Sequence, residues 1–519
     1  MAMVKKHVSY KFVKSFVRQA NSGQPSSTIA TPKYRQAHRA ALNAGTSTNY
    51  PTQPEKVTTN NVIENDGEIF DFEDTKALFA TVSTKKLLHS AATLNMAAIE
   101  PMVDLSLWVM NSRLMEFGLF KKTVMGTIRY TAYDHFVAGG DTVETGQTCL
   151  KLYDSGLRGM LDYGLEHANN NESCDQAAQQ LMITAAAPQS LPPSAVSFMA
   201  VKVTAICPVY LLRRVSDLLR WEYKNSSFKL PWKQQTLPIF SESSPFYHTL
   251  QQPSPLNANE ERDLELAHQR LINICEKSFE SNVPVVIDAE DTSIQPAIDY
   301  MTYWASVKYN EPKKPMVYGT IQAFLKDAGE RMSLTKNAAD KMGLPVGFKL
   351  VRGAYMSSER KLAHSLGVES PVHDTILGTH NCYNTCSSYM LDQISNRPGG
   401  LILATHNLDS GKLAAQKARE YGINKESDKL EFASLYGMAE AMTFGLRNAG
   451  FGVSKYLPFG PIDQIMPYLL RRAEENKGML SSSSLDRQLM MKELKRRMKA
   501  YFGSKSENQF KQQANSIAN

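Results

Sequence analysis

The sequence lacks the features that mark a membrane-spanning or nucleic-acid-binding protein. It has no uninterrupted run of about 18 apolar residues, the minimum for a transmembrane helix, and its most apolar segment, 196–212, contains Lys202 and Pro208. The formal net charge of +7 over 519 residues is small, and much of the excess lies in the first fifty and the last 35 residues. A nucleic-acid surface is therefore not favoured.

Cysteine is also scarce and scattered, with one close pair in a C-x₃-C spacing. Neither a second pair nor a histidine doublet completes a metal site, so we expect no bound metal and interpret the cysteines as reduced thiols of an intracellular protein. The six are Cys149, Cys174, Cys207, Cys275, Cys382 and Cys386.

Four common enzyme motifs are missing. The sequence has no G-x-G-x-x-G after a predicted strand, no P-loop, no G-x-S-x-G elbow and no H-E-x-x-H. A phosphate-bearing cofactor would therefore bind through loops that follow strands. The composition, 42% hydrophobic and 21% charged, is that of an ordinary globular protein.

The N-terminal segment is basic and contains no acidic residue. Its first fifty residues hold eight lysines and arginines and no aspartate or glutamate, with serines and alanines interspersed. This composition is typical of an organellar import sequence, which we place at residues 1–54, although a disordered basic tail would look similar. The absence of an apolar core segment argues against secretion.

The periodicity of apolar residues changes along the chain. Residues 55–195 are predicted to form an N-terminal helical region, since apolar residues recur there every three or four positions. Short apolar runs that read as strands then alternate with helices. The runs are at 200–207, 283–288, 315–324, 347–355, 400–406, 429–435 and 453–459.

This alternation indicates an α/β fold with a parallel sheet covered on both faces. Seven candidates fit an eight-stranded (β/α)₈ barrel with one strand unrecognised, and we assign the barrel to 196–484. A Pro/Ser/Gln-rich stretch indicates an exposed insertion near 209–257, before a helix at 258–280. Residues 485–519 are expected to form a basic helix and a disordered tail.

Polar residues recur at the ends of the predicted strands, where catalytic groups of such barrels lie. Lysine within a buried strand is costly unless it is paired or functional, although Lys202 could also face solvent at the barrel rim. Each of these residues alone is more often structural, but together they would form a ring of polar groups. They are Lys202, Asp288, Gln322, Lys349, Arg352 and His406.

A second candidate lies in PIDQIMPYLLRRAEEN, which reads as a helix. Tyr468, Arg471, Arg472 and Glu475 are spaced to share one face of it. A surface ion pair would explain Arg471 with Glu475 but not the tyrosine. Two adjacent guanidinium groups are suited to binding a carboxylate, and Tyr456 precedes this helix closely.

The motifs VVIDAED, FKLVRGAY, LATHN, EFASLYGM, KYLPFGP and PYLLRRAEEN, in this order, resemble those of proline dehydrogenases. The resemblance covers about residues 155–502. It implies a distorted (β/α)₈ barrel, bound FAD, and oxidation of L-proline to Δ1-pyrroline-5-carboxylate, the first step of proline catabolism to glutamate. With the basic N-terminus, it also implies a mitochondrial enzyme of the eukaryotic branch.

The resemblance further implies roles for individual residues. Arg471 and Arg472, helped by Lys202, would hold the substrate carboxylate, Glu166 would balance their charge, and Glu475 would orient an arginine. The remaining pocket residues would be Asp288, Leu350, Tyr355, Tyr456 and Tyr468, and the flavin contacts Gln322, Lys349, Arg352, Gly353, Thr405, His406 and Asn407. Lys349 departs from bacterial relatives, which have arginine near the flavin N5.

Two alternatives stay open for the substrate and the function. Hydroxyproline dehydrogenase is one, although a tyrosine at position 456 would crowd a hydroxylated ring. A non-catalytic barrel-fold binding protein is the other, and the intact polar set argues against it.

The resemblance implies that electrons pass to membrane quinone on the matrix side of the inner mitochondrial membrane. A basic amphipathic helix could bind that membrane, or its apolar side could pack on the barrel. The apolar positions are Leu485, Leu489, Leu494, Met498 and Phe502.

Overall fold

The computed structural model describes residues 69–165, 167–423, 427–478 and 482–517. The side chains of 474–482 and 502–519 are not part of this description. The predicted import segment, 1–54, lies outside the described residues.

Eight parallel strands close into a barrel in which β1 pairs with β8 as well as with β2. Alternate side chains of the strands fill the barrel interior with a small apolar cluster that includes Met160, Phe198 and Ile402. The (β/α)₈ barrel predicted from the sequence is therefore confirmed. The strands are β1 (Arg158–Tyr163), β2 (Val196–Val201), β3 (Val285–Ile287), β4 (Val317–Gln322), β5 (Gly347–Val351), β6 (Gly400–Ala404), β7 (Leu430–Leu435) and β8 (Val453–Phe459).

Helices precede the barrel, cover its outer face and follow it. Those before β1 are α1 (Thr75–Leu78), α2 (Thr84–Ala97), α3 (Glu100–Asn111), α4 (Gly118–Ile128), α5 (Asp134–Phe136) and α6 (Thr142–Asp154). Those between β1 and β5 are α7 (Asn171–Ala186), α8 (Val203–Ile206), α9 (Val209–Lys224), α10 (Ala258–Glu280), α11 (Gln295–Tyr309) and α12 (Ala328–Lys341). The rest are α13 (Met356–Leu366), α14 (Ile376–Asn396), α15 (Leu408–Glu420), α16 (Glu440–Asn448), α17 (Ile462–Gly478) and α18 (Ser482–Ile517).

Capping side chains define where several helices begin. The side chain of Asn257 accepts hydrogen bonds from the backbone of Asn259 and Glu260, and the Glu260 side chain accepts one from the Asn257 N–H. This reciprocal cap satisfies backbone groups at the start of α10. The helix predicted at 258–280 is confirmed.

The predicted start of the barrel at residue 196 is wrong, because β1 lies at Arg158–Tyr163 inside the region predicted to be helical. Leu157, Met160 and Leu161 are spaced as on a helix face, which explains the misassignment. The first predicted strand, 200–207, is also displaced. The strand β2 ends at Val201, and α8 follows from Val203.

The segment 209–257 is not an exposed insertion. It begins with α9, whose apolar face is buried, and the remainder carries buried residues such as Leu237 and Ile239. The hydroxyl of Ser244 also donates to Asp327 at 2.7 Å, which ties the segment to the start of α12. The segment therefore packs as an integral part of the outer layer.

The C-terminal helix α18 packs its apolar side on the protein. Leu489 and Leu494 are buried, and the guanidinium of Arg497 donates to the carbonyls of Phe79 and Val82 at 2.9 and 2.8 Å. The packing alternative is thus the one that the structure supports. The helix also runs to Ile517, where a disordered tail was predicted.

None of the helices in the described ranges is long and apolar enough to span a membrane.

Candidate active site

Side chains on or just after five strands meet at the carboxyl-terminal mouth of the barrel. The Nζ of Lys202, just after β2, lies 2.5 Å from the Oδ1 of Asp162 on β1 and 3.9 Å from the Oδ2 of Asp288 after β3. Lys349 on β5 forms a buried ion pair with Asp288. The hydroxyl of Tyr456 on β8 donates to the Oδ2 of Asp288 at 2.7 Å. Two ammonium groups and two carboxylates therefore balance one another around a tyrosine.

The protonation states in this group follow from burial and neighbouring charge. Burial alone would raise the pKa of Asp288, but the charges of Lys349 and Lys202 hold that pKa below its ordinary value. Burial and the nearby carboxylates raise the pKa of Tyr456 well above its ordinary value. At neutral pH, Asp288 is therefore a carboxylate and Tyr456 a neutral phenol that donates to it.

A second group surrounds Arg352, which follows β5. Its guanidinium donates to the hydroxyls of Thr405 and Ser410 at 2.6 and 2.7 Å, and its Nε donates to His380 at 3.0 Å. The ring of Tyr383 lies 4.3 Å from the guanidinium carbon. This set holds a cation in a fixed orientation beside the first turn of α15.

The loop after β6 combines a helix N-terminus with a neutral histidine. The Asn407 side chain caps α15 by accepting from Ser410 N at 2.8 Å. The Nε2 of His406 accepts a hydrogen bond from Leu435 N at 3.1 Å. Burial and the positive charges of Arg472 and Lys455 lower the pKa of His406 to about 3, so the ring is neutral at physiological pH. Helix N-termini favour bound anions.

Gln322 and Gly353 shape the neighbouring strand ends. The side-chain amide of Gln322 donates to the carbonyl of Glu290 at 2.9 Å. Gly353 has φ +110°, and a Cβ added there would lie 2.0 Å from the Phe324 ring. The sharp turn after β5 therefore requires glycine.

Helix α17 follows β8 and carries Tyr468 and the paired arginines. Tyr468 and Arg472 are buried, with the guanidinium carbon of Arg472 5.2 Å from the centre of the Tyr468 ring. Arg471 is half-buried. The positive charge of Arg472 contributes to the lowered pKa of His406, which follows β6.

Some predicted residues do not join this arrangement. Leu350 is fully buried in the main hydrophobic core, on the opposite face of β5 from Lys349. Tyr355 packs against a separate cluster that contains Phe324. Glu166, and the side chain of Glu475, lie outside the described part of the chain.

Asp162 is the clearest site residue missed by the sequence reasoning. Its strand was assigned to a helix, so the carboxylate that pairs with Lys202 was not recognised. The available signal was the glycines at positions 156 and 164, which bracket a seven-residue run with an aspartate near its end. The same pattern of an apolar run and a terminal aspartate identified Asp288.

A closed parallel barrel of eight strands defines a (β/α)₈-barrel protein, a fold whose ligand sites lie at the carboxyl-terminal mouth. Residues 145–485 match the family model described as proline dehydrogenase. The chain therefore belongs to the proline dehydrogenase family.

Relatives of this chain cover most of its length. It is 56% identical over 434 residues to "Proline dehydrogenase 2, mitochondrial" of Arabidopsis thaliana, covering 83% of this chain and 91% of the relative. It is 29% identical over 436 residues to the "Hydroxyproline dehydrogenase" of Bos taurus, covering 81% of this chain and 92% of that one. The mitochondrial name of the Arabidopsis relative confirms the predicted location in the mitochondrion.

A solved structure shares the fold. Proline utilization A (PutA) from Bdellovibrio bacteriovorus superposes with a TM-score of 0.53 at 21% identity, covering 72% of this chain and 36% of that one. This chain thus spans about a third of the length of that structure. At this identity the comparison supports the barrel fold alone.

Proposed function

We propose that the chain is an FAD-dependent proline dehydrogenase that oxidises L-proline to Δ1-pyrroline-5-carboxylate, the first step of proline catabolism to glutamate. The observation that carries this proposal is the balanced charge of the Lys202–Asp162–Asp288–Lys349 group at the barrel mouth, together with the two cations on α17, the helix that follows β8. Arg471 and Arg472 would supply positive charge for a substrate carboxylate, which two adjacent guanidinium groups are suited to bind.

The residues at the mouth fit an anionic dinucleotide cofactor. The cation Arg352 and the N-terminus of α15 lie together, joined through Ser410, and this combination suits a pyrophosphate. Lys349, Gln322, Gly353, Thr405, His406 and Asn407 belong to neighbouring strand ends. Bound FAD would supply the hydride acceptor for the reaction.

The protein itself acts mainly by orientation. Arg471 and Arg472 would hold the substrate carboxylate, and the rings of Tyr456 and Tyr468 would limit how the proline ring can rotate. Such positioning contributes several kcal/mol to lowering a barrier. Lys202 would serve to hold Tyr456, whose hydroxyl it reaches at 3.5 Å.

Asp288 does not suit the role of general base for the substrate amine. Both of its oxygens accept hydrogen bonds, from Lys349 and from Tyr456, and its pKa is held low. Its part is therefore to fix those two side chains. The neutral amine is the form of proline that reacts, because an ammonium nitrogen has no lone pair to assist hydride loss.

The electrons would pass to a quinone of the inner mitochondrial membrane, with the enzyme on the matrix side. The mitochondrial relative supports this location. The basic N-terminal segment would direct import.

Hydroxyproline dehydrogenase is the second candidate function. Tyr456 argues against it, since its ring would crowd the hydroxyl group of a hydroxylated substrate. The higher identity to a proline enzyme, 56% against 29%, also favours proline.

One experiment tests the function directly. Purified protein should be yellow, and L-proline should bleach the flavin absorbance under anaerobic conditions, with 4-hydroxyproline much less effective. Stronger bleaching by 4-hydroxyproline than by L-proline would identify 4-hydroxyproline as the substrate. Colourless protein that binds no FAD would favour the non-catalytic barrel.

A further inference from the structure

Helix α14 carries two cysteines one helical turn apart, Cys382 and Cys386. Both are free thiols, and Cys386 is buried whereas Cys382 is half-buried. Residues at this spacing lie on the same face of a helix, with Cβ atoms about 5–6 Å apart. The helix therefore sets the two thiols side by side, and Cys382 is the one that solvent reaches.

The surroundings of the pair give its two thiols different protonation states. A hydrogen bond from Cys386 and another from His373 outweigh the effect of burial and hold the pKa of the Cys382 thiol below its ordinary value. The contact with Cys382, together with burial, raises the pKa of Cys386 well above its ordinary value. Cys382 is therefore a thiolate, the form that reacts with oxidants, and Cys386 is the thiol that faces it.

His373 is held beside this helix by its backbone and its packing. Its N–H donates to the carbonyl of Phe324 at 3.0 Å, and its own carbonyl accepts a hydrogen bond from Arg360 at 2.7 Å. A Cβ added at Gly378 would lie 3.1 Å from the Cβ of His373, so the histidine side chain packs on the first turn of α14. The fold therefore keeps His373 within reach of Cys382.

We propose that Cys382 and Cys386 are a peroxide-sensitive modification site, at which the two thiols close into a reversible disulfide. The Cys382 thiolate attacks one oxygen of hydrogen peroxide, the O–O bond breaks, and the departing hydroxide takes a proton from solvent to become water. The sulfur of Cys386 then attacks that of the Cys382 sulfenic acid, and the Cys386 proton leaves with the hydroxyl as a second water. The thiols lose two electrons to the peroxide, and a dithiol reductant reverses the change.

The neighbouring cysteines Cys174 and Cys207 do not share this chemistry. They lie close enough for Cys174 to influence the ionisation of Cys207. Both are buried, however, and burial raises the pKa of both thiols, that of Cys174 to about 11. Neither is a thiolate at neutral pH, so this pair is an internal control for the Cys382–Cys386 pair.

The disulfide distorts the turn of α14 that surrounds Arg352. A disulfide holds its two Cβ atoms about 3.5–4.5 Å apart, closer than a regular helix places them. The same turn carries Tyr383, whose ring lies 4.3 Å from the guanidinium carbon of Arg352. It also carries Asn384, whose side-chain oxygen accepts from the Ser410 hydroxyl at 2.7 Å. Closing the disulfide therefore displaces side chains that fix Arg352 directly and through Ser410.

The effect on the cofactor rests on the proposed function, in which Arg352 helps to hold the pyrophosphate of FAD, whereas the oxidation itself does not. Oxidised protein should bind FAD about tenfold or more weakly, the effect of losing one hydrogen bond to a charged group. Reduction of the disulfide should restore the affinity.

Peptide mass spectrometry of the full chain tests the modification. The protein is treated with hydrogen peroxide, and its remaining thiols are blocked with N-ethylmaleimide in urea. The peptide that contains Cys382 and Cys386 should have lost two hydrogens and taken up no maleimide, and dithiothreitol should restore both thiols. Cys382 and Cys386 that stay reduced, or a disulfide that forms between Cys174 and Cys207 instead, would overturn the proposal.

Two variants separate the steps of the oxidation. In Cys386→Ala, Cys382 should stop at the sulfenic acid, which dimedone labels. In Cys382→Ser, Cys386 should react with peroxide at least about tenfold more slowly than Cys382 does in the unmodified chain. Thr385→Ala, at an exposed position of the same turn, is the matched control and should form the disulfide normally. Absence of dimedone labelling at Cys382 in Cys386→Ala would contradict the first step.

Release of FAD on ultrafiltration distinguishes this inference from the proposed function. The unmodified chain and Thr385→Ala should release FAD after peroxide treatment and rebind it after dithiothreitol, while Cys386→Ala should retain it. A disulfide that forms without changing FAD affinity would overturn the link to Arg352 and leave the proposed function intact. A chain that forms the disulfide but never binds FAD would remove the proposed function and leave the modification site in place.

Discussion

The ammonium group of Lys202 lies 2.5 Å from the Oδ1 of Asp162, and both side chains are nearly excluded from solvent, with 11% and 5% exposed. This pair joins the ends of β1 and β2 at the mouth of the barrel. A buried ion pair is weak evidence for stability in itself, but removing one partner leaves an uncompensated charge.

Asp162→Asn should lower the free energy of unfolding by about 3–5 kcal/mol. The double variant Asp162→Leu/Lys202→Met should recover much of that loss, since it removes both charges. Urea denaturation measures the difference. Glu369→Gln is the matched control, because its exposed pair with Lys326 should be worth at most about 1 kcal/mol. Equal losses in Asp162→Asn and the control would contradict the buried pair.

Arg471→Met and Arg472→Met should each raise the KM for proline by about tenfold to a hundredfold, while FAD stays bound. The loss of a charged hydrogen bond costs about 1.5–3 kcal/mol, and each 1.4 kcal/mol is a factor of ten. Steady-state kinetics and the flavin spectrum provide the readouts. Arg397→Met, at an exposed pair with Asp340, serves as the control. Unchanged proline kinetics in both variants would show that neither arginine holds the substrate.

Tyr456→Ser should raise activity on 4-hydroxyproline relative to proline by about tenfold, since a pocket contact of this size is worth about 1–3 kcal/mol. Tyr456→Phe keeps the ring and removes only the hydroxyl that donates to Asp288. It should therefore retain the preference for proline. The measurement is the kcat/KM for 4-hydroxyproline divided by that for proline. An equal ratio in Tyr456→Ser and Tyr456→Phe would show that crowding by the ring does not determine specificity.

Glu493→Gln should destabilise the protein at pH 7 by about 1–2 kcal/mol, since solvent reaches its partners Arg496 and Arg497. Burial opposes ionisation, but hydrogen bonds from these arginines lower the pKa of Glu493 to about 2. The carboxylate therefore stabilises the fold above its ordinary pKa of 4.5, and this contribution is lost as the pH falls towards 2.

Urea denaturation of both proteins between pH 7 and pH 3 should show the difference shrinking at the acid end. Glu73→Gln, whose side chain is 95% exposed, is the control. A difference that is independent of pH would mean that the glutamate acts through packing.

Cys382 should be the cysteine that iodoacetamide alkylates fastest at pH 7. A hydrogen bond from Cys386 and another from His373 hold the pKa of the Cys382 thiol below its ordinary value, and the thiolate is the reactive form. Burial raises the pKa of Cys149 to about 12. Mass spectrometry of peptides over time gives the order, and equal rates at Cys382 and Cys149 would contradict this account.

The sequence predicted the later strands well because parallel strands buried on both faces are short apolar runs. It misassigned β1 because Leu157, Met160 and Leu161 satisfy helical spacing, and periodicity alone cannot separate the two in so short a run. The polar ends of β3, β5 and β6 could be read from their positions in the chain. The pairing of each lysine with its aspartate could not be predicted from the sequence, because it depends on how the barrel closes.

The C-terminal helix illustrates a different limit. An amphipathic pattern shows that an apolar face is covered but not by what. Here Leu489 and Leu494 are covered by the protein itself.

The pairing of β1 with β8 has a consequence for biogenesis. Met160 and Tyr456 are partners in the sheet although almost 300 residues separate them in the chain, so the barrel cannot close until its last strand has been made. Contacts of such long sequence separation form slowly. A nascent or truncated chain that ends before β8 would lack Tyr456 and the second sheet partner of β1. Such a chain cannot assemble the mouth of the barrel, so unfinished copies of the protein would be inactive.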